Sequence, residues 1–200
     1  MENSTMTESS VSKEIITEGL KKAAESLSFF MKENLQVNET DFNISTVDPG
    51  REGASADKLF YVLSTEIKGE LTGICFLLFD DSEAEELCRV ALSDDIANNP
   101  AKLAHMQEPL LLEVDNIISA SVITQFANRL KVKMYGDVPR MDRIGMSDFQ
   151  QIVQRQLEPD KLILGFKTEF VSSKSHFTPD FFWILSPDFM DCVRRSIDNS

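Results

Sequence analysis

Helix-period and strand-period segments alternate along this chain. Apolar residues recur every three or four positions in the helical segments, as at Ile16, Leu20, Leu27 and Met31. This spacing predicts helices at residues 11–35, 83–92, 108–130 and 146–157, and a last helix after Pro187. β-Branched and aromatic runs predict strands at residues 59–67, 71–79, 161–171 and 177–186, and residues 131–136 are predicted to be extended.

Turn and capping residues mark the limits of these elements. Lys68-Gly69-Glu70 separates the first two strands and predicts a hairpin. Asp80 is placed to cap the helix that follows, and Asn98-Asn99-Pro100 is predicted to end it. Residues 1–10 are polar and are predicted to form a disordered tail.

The two halves of the chain resemble each other. Residues 57–67 and 160–170 share Asp, Lys, Leu, Thr and Glu without a gap, at an offset of 103 positions. The long helices also correspond, with residues 18–37 matching residues 113–132. We therefore expect one α/β (α+β) domain over residues 11–200, a pseudo-twofold duplication with long helices packed on a largely antiparallel sheet. Its half-repeats are predicted at about residues 11–104 and 105–200.

Composition narrows the classes of function. The 200 residues are 42% hydrophobic, enough for a packed core, and carry 33 Asp and Glu against 20 Lys and Arg. The net charge of −13 argues against nucleic acid and against an anionic membrane surface as partners. The opening segment lacks the pattern of a secretory signal and the longest apolar run, residues 74–79, is too short to span a membrane, so a cytoplasmic location is expected.

Few residues are available for metal or triad chemistry. The three cysteines, Cys75, Cys88 and Cys192, lie far apart in apolar surroundings and are predicted to be small buried side chains. The two histidines form no pair at ligand spacing. We therefore expect no intrinsic metal site and no Ser-His-Asp triad.

One helix carries a polar pair that distinguishes the two halves. Glu113 and Asn116 stand where the first helix has Glu18 and Lys21. Residues three apart on a helix project side by side, so Glu113 and Asn116 are predicted to share an exposed face. The opposite, buried face is predicted to carry Leu111, Ile118, Val122 and Phe126.

The exposed face continues with small side chains. Ala120 and Thr124 follow Asn116 at helical spacing and leave a shallow strip that a partner protein could approach closely. They are predicted to contact that partner. Asp115 falls near the buried side of the helix, where we expect no more than a hydrogen bond at the rim.

The segment around this pair resembles the signature helix of the CheC/CheX/FliY family of bacterial chemotaxis phosphatases. The family pattern is Asp or Ser, three residues, Glu, two residues, Asn, twenty-two residues and Pro. Glu113 and Asn116 match it, and Pro139 follows Asn116 with twenty-two residues between them. Pro109 stands in place of the opening Asp or Ser, with Glu108 beside it to cap or charge the start of the helix. The resemblance covers about residues 59–185 and implies a CheC-like fold.

The resemblance implies hydrolysis of the aspartyl phosphate of a CheY-like response regulator. Asn116 would orient the attacking water through its carboxamide, and Glu113 would pair with the regulator's Lys. Pro139 would belong to the partner-binding surface. The regulator supplies Mg²⁺, so no intrinsic cofactor is implied. The first half, which has Lys21 in place of Asn, would be an inactive copy.

Two alternatives stay open at this point. A non-catalytic CheC-like adaptor, similar to flagellar-switch components, would bind regulator or switch proteins without turnover. The presence of both Glu113 and Asn116 argues against that alternative. A homodimer with two equivalent active helices is compatible with the phosphatase.

Overall fold

The computed structural model describes residues 2–45, 58–157 and 162–198. The helices are α1 Glu2–Met31, α2 Asp81–Ala91, α3 Asp94–Ala97, α4 Pro100–Leu130, α5 Met146–Gln156 and α6 Asp188–Asp198. The strands are β1 Gln36–Ser45, β2 Leu59–Gly69, β3 Gly73–Phe79, β4 Met134–Gly136, β5 Arg140–Gly145, β6 Leu162–Val171, β7 His176–Phe177 and β8 Asp180–Leu185.

The strands form one sheet in which the strands of the two halves are arranged symmetrically about the centre. The order is β1-β6-β8-β3-β2-β4, with β5 also paired to β2 and β7 to β6, and these pairings are antiparallel. Exchanging β1 with β4, β6 with β2 and β8 with β3 reproduces the same order in reverse. This arrangement confirms the predicted pseudo-twofold fold and places the repeated segments in β2 and β6. Residues 57, 160 and 161 of those segments lie outside the described residues.

Alternate side chains of the central strands enter two separate cores. Leu63 and Ile67 of β2 face the helices α1, α2, α4 and α6, whereas Phe60 and Val62 face α5 on the other side of the sheet. Because β3 and β8 are covered on both faces, their sequences are almost continuously apolar. The predicted hairpin between β2 and β3 is confirmed, and so is the cap of α2, where the Asp80 carboxylate accepts from the Glu83 backbone N–H at 2.9 Å.

Helices α1 and α4 run antiparallel in close contact. Arg129, near the end of α4, lies 3.7 Å from Glu14 in the first half of α1, whereas Phe29 and Phe30 near the end of α1 line a depression together with Glu113. Between these points Gly19 faces Val122, where a Cβ on residue 19 would stand only 2.7 Å from the Val122 Cα. The absence of a side chain at Gly19 therefore lets the two helix backbones approach closely.

The expected disordered tail is wrong for residues 2–10, because α1 begins at Glu2. The reason is a contact with the last helix. Glu8 is only 3% exposed and its Oε1 accepts from the Arg194 Nε at 2.6 Å, which docks the start of α1 on α6. A polar sequence is ordered here because α6 provides a cationic partner.

The long second helix also begins earlier than predicted, at Pro100. Pro100 occupies the first turn of α4, where a missing N–H costs nothing, and the Asn99 side chain accepts from Ala101 N and Lys102 N. The predicted start near residue 108 is wrong, because Pro100 begins this helix and does not only end the one before it. The predicted boundary between the half-repeats, at about residue 105, stays a prediction.

Three further elements were not predicted. Strand β1 lies at one edge of the sheet, and β5 pairs outside β2 at the other end. Both are polar along much of their length, so they lack the apolar runs that marked the central strands. The third is α3, a single turn between α2 and α4 with none of its residues buried.

Replacement of Gly19 is expected to weaken the α1–α4 contact. In Gly19→Ala the new methyl group would meet Val122 backbone, so the unfolding free energy should fall by about 1–3 kcal/mol despite the better helix propensity of Ala. Urea denaturation followed by circular dichroism measures this difference. Ser26→Ala, at an exposed position of the same helix, is the control and should change stability by less than about 0.5 kcal/mol. A Gly19→Ala protein more stable than wild type would contradict the close approach.

Candidate functional site

The rotation of α4 about its axis decides which side chains reach solvent. Ten of its side chains are buried, including the four predicted on the inner face, Leu111, Ile118, Val122 and Phe126. This helix is long and apolar enough to cross a membrane by length and composition, but its apolar side packs in the core between α1 and the sheet. The outer face is therefore the part of α4 that is available to a partner.

Glu113 and Asn116 lie side by side on that outer face. Both side chains are exposed, as predicted. Among the residues that the structure describes, neither side chain has a hydrogen-bond or ion-pair partner. A carboxylate and a carboxamide that are open to solvent one helical turn apart are available to bind a charged group and a water molecule of a docked partner.

Pro139 comes to the same place from a distant part of the sequence. A shallow groove of about 430 Å³ is lined on one side by Pro109, Leu112, Glu113 and Asn116 of α4. Its other side is the segment 136–139, which ends in Pro139. The structure therefore brings together Glu113, Asn116 and Pro139.

The segment 136–139 is held to β2. The Asp137 backbone N–H donates to the Glu66 carbonyl at 2.8 Å, and the Asp137 carboxylate accepts from the Lys68 ammonium. This ion pair raises the pKa of Lys68 and, together with a hydrogen bond from the Val138 N–H, lowers the pKa of Asp137. The outer wall of the groove is thus fixed at its base, while the Val138 side chain remains 78% exposed.

A second, more apolar depression lies on the other side of Glu113. It measures about 640 Å³ and is lined by Ser26, Ser28, Phe29 and Phe30 of α1, by Lys32 just after that helix, and by Glu113 and Ile117 of α4. Phe29, at its rim, is 89% exposed. Large exposed apolar side chains therefore flank the candidate site on both sides, a composition typical of surfaces that contact other proteins.

Ala120 and Thr124 continue the exposed face but do not line the groove. Both are exposed, and the Thr124 hydroxyl donates to the Ala120 carbonyl at 2.7 Å within the helix. The hydroxyl is thus already engaged. These two residues offer a low, mainly apolar strip next to Asn116, and their predicted contact with a partner stays a prediction.

Pro109 lies inside α4, nine residues after its first residue, and not near its start. The expectation that Glu108 caps or charges the start of the helix is therefore wrong, because Asn99 caps it. Pro109 has no N–H for the His105 carbonyl, but the helix continues through it. It lies one turn before Glu113 and lines the groove. The site therefore has an apolar pyrrolidine ring at the position where the CheC/CheX/FliY pattern has Asp or Ser.

Asp115 is buried on the inner face of α4, opposite the exposed Glu113 and Asn116. The sequence pattern predicted only that it lies near the buried side. It is 2% exposed, and its Oδ2 accepts from the Thr65 hydroxyl of β2 at 2.8 Å. Burial raises the pKa of Asp115 from 3.8 to about 7, although the hydrogen bond from Thr65 opposes the rise. The predicted rim hydrogen bond is in fact an interior one, and the helical wheel alone could not identify its partner.

Other parts of the molecule offer less chemistry. Within the described residues, no group of three or more His, Cys, Asp or Glu side chains could hold a metal ion. Cys75, Cys88 and Cys192 are free thiols and buried, as predicted. A cavity of about 1160 Å³ lies at the other end of α4 against α6, and its lining includes neither Glu113 nor Asn116.

Comparison with known proteins identifies the fold. No protein-family model and no curated protein matches the sequence. Thermotoga maritima FliY matches the structure with a TM-score of 0.66 and 14% identity over 96% of each chain. A chain of the FliG–FliM complex from H. pylori matches with a TM-score of 0.58 and 12% identity over 96% of this chain and 99% of that one.

A chain of the CheX–CheY–BeF3–Mg²⁺ complex from Borrelia burgdorferi also matches. Its TM-score is 0.50 with 14% identity, over 84% of this chain and 95% of that one. The chain therefore has the fold of the CheX, CheC-like and FliY chemotaxis proteins, and the fold implied by the signature-helix resemblance is confirmed.

Asp115→Asn is expected to alter how stability depends on pH. In the unfolded chain the carboxyl ionises near its ordinary pKa of 3.8, whereas in the folded chain it keeps its proton up to about pH 7. The folded state therefore binds the extra proton, and the unfolding free energy of the wild type falls as pH rises through this window. Asn cannot titrate, so the variant avoids this loss.

The unfolding free energy of Asp115→Asn relative to that of the wild type should therefore increase between about pH 4 and pH 7. The increase should reach at most roughly 4 kcal/mol, at 1.36 kcal/mol per pKa unit. Denaturant unfolding of both proteins at pH 4.5, 6 and 8 measures it. A difference that stays constant over this range would show that Asp115 does not titrate there.

Proposed function

We propose that this chain is a phosphatase that hydrolyses the aspartyl phosphate of a CheY-like response regulator in chemotaxis or two-component signalling. The observation that carries the proposal is the placement of Glu113, Asn116 and Pro139 in one solvent-open groove. The groove is shallow and exposed on both flanks, which suits a folded protein as substrate better than an enclosed small molecule.

Asn116 is the residue assigned to the chemical step. Its carboxamide oxygen can accept from the attacking water while its NH₂ donates to a phosphoryl oxygen, which holds the water in line with the scissile bond. The carboxamide does not titrate near neutral pH, so its action does not depend on a shifted pKa. The regulator contributes its own Mg²⁺ and Lys, and positioning is the part left to this chain.

Glu113 is assigned to partner recognition at the same site. An exposed carboxylate one turn before Asn116 can pair with the ammonium group of the regulator's Lys and fix how far α4 enters the regulator's active site. The flanking apolar side chains, Phe29 and Val138, supply contact area around this ion pair. Ala120 and Thr124 keep the adjoining strip low enough for close approach.

The choice of partner has separate support. The CheX of Borrelia burgdorferi that shares this fold was solved with CheY, BeF3 and Mg²⁺. A phosphorylated CheY-like regulator would place this protein in the cytoplasm, and nucleic acid and membrane surfaces have no part in the proposal. A homodimer would double the number of active helices without changing the site.

A non-catalytic adaptor is the second candidate, and two observations favour it. Pro109 replaces the first polar residue of the family pattern on the wall of the groove. The fold also matches a chain of the FliG–FliM complex over 96% of this chain. In an adaptor the same face would bind its partner without accelerating hydrolysis.

Phosphate release from a phosphorylated CheY-like regulator tests the proposal. The regulator is taken from the same organism and phosphorylated with acetyl phosphate in the presence of Mg²⁺. The wild-type chain should accelerate release over the regulator's own rate, and Asn116→Ala should lose this acceleration by a factor on the order of 100 because the water is no longer oriented. Glu113→Ala should weaken binding as well as turnover. Lys21→Ala, at the matching position of α1, is the control and should behave as wild type.

The same assay separates the two candidates. Binding of the regulator without acceleration by the wild-type chain would favour the adaptor. Loss of acceleration in Lys21→Ala but not in Asn116→Ala would contradict the assignment of the active helix.

A further inference from the structure

The internal duplication allows the two halves to be compared at the level of single residues. Thr65 of β2 and Thr168 of β6 occupy matching positions, and both are 1% exposed. Asp115 of α4 matches Leu20 of α1, which is fully buried. The buried carboxyl thus lies on the inner face of the helix that carries Glu113 and Asn116, and an apolar side chain takes its place on the inner face of the helix that carries Lys21.

Leu20 shows that this fold accepts an apolar residue at the matching place in its core. A buried carboxyl costs free energy that a well-packed Leu does not, even when it is hydrogen-bonded. Packing alone therefore does not account for Asp115. Its distinguishing feature is the directed hydrogen bond from the Thr65 hydroxyl, which ties α4 to β2 within the turn between Glu113 and Asn116.

The opposite wall of the groove rests on the same stretch of β2. Gly136 pairs with Ile67, and the Asp137 N–H donates to the Glu66 carbonyl. The Thr65 methyl group lies against Gly136, since a Cβ on Gly136 would stand 3.0 Å from it. Thr65 therefore contacts both walls, with its hydroxyl on Asp115 and its methyl group under Gly136.

We propose that Thr65 and Asp115 are positioning residues for Asn116. Their hydrogen bond fixes the rotation and height of α4 on β2, and thereby sets the gap between Asn116 and the wall that ends in Pro139. This inference rests on the phosphatase function proposed above for its kinetic consequence. A displacement of about 1 Å at an in-line water can cost on the order of 100-fold in rate, so a fixed gap matters for turnover more than for binding.

The test compares one substitution at the two matching positions. Thr65→Val and Thr168→Val each replace a hydroxyl by a methyl group in a buried strand position, but only the first removes the hydrogen bond to Asp115. Thr65→Ser restores the hydroxyl and serves as the conservative rescue. Asp115→Leu copies the residue found at the matching place in α1 and covers the case in which Thr65→Val fails to fold.

Two readouts are needed. The first is hydrolysis of the phosphorylated CheY-like regulator at saturating concentration, together with the dissociation constant of that regulator. The second needs no partner: nuclear Overhauser effects between the methyl groups of Leu112 and Val138, which line opposite walls of the groove, report its width in the free protein.

We expect at least a tenfold loss of turnover in Thr65→Val and Asp115→Leu, with the dissociation constant changed by less than about threefold and the Leu112–Val138 signal altered. Thr168→Val should retain wild-type turnover and signal, and Thr65→Ser, which keeps the hydroxyl but loses the methyl group under Gly136, should recover most of the turnover that Thr65→Val loses. If Thr65→Val matches Thr168→Val in both readouts, the positioning role is overturned. If the wild-type chain accelerates no regulator, the proposed phosphatase fails, and the methyl signals still decide whether Thr65 and Asp115 set the groove.

Discussion

The structure depends on the fixed rotation of α4 between α1 and the sheet. A helix of 31 residues that buries ten side chains has only one orientation in which its apolar face is covered. The close approach at Gly19 and Val122 holds one flank, and the hydrogen bond between Thr65 and Asp115 holds the inner face. This orientation places the Glu113 and Asn116 side chains on the solvent-exposed face of α4, where a partner can contact them.

The duplication separates what the fold requires from what the candidate chemistry requires. Both halves supply a long helix, a hairpin-like pair of strands and a shorter helix, and the sheet needs both sets to cover its helix-facing surface. Of the two long helices, α4 carries Glu and Asn together on its outer face, whereas α1 has Lys21 at the second position and the exposed Phe29 near its end. In our proposal α4 carries the residues that act on the regulator, and α1 contributes contact surface beside them.

Much of this arrangement could be predicted from the sequence. Helical periodicity identified the inner and outer faces of α4, and the shared residues of β2 and β6 indicated the duplication. The features that the sequence did not predict have physical causes. Pro100 is compatible with a helix start as well as a stop, and edge strands such as β1 lack the apolar runs of central strands. The order of residues 2–10 and the partner of Asp115 depend on contacts with Arg194 and Thr65 that lie far away in the sequence.

The most direct measurement is the structure of this chain bound to a CheY-like regulator that carries beryllofluoride and Mg²⁺ at its phosphorylation site. The account predicts that the outer face of α4 enters the regulator's active site, with the Asn116 carboxamide next to the beryllofluoride and Glu113 paired with a regulator Lys. A regulator bound on the α1 face around Lys21, or on the sheet, with α4 left open to solvent, would contradict it.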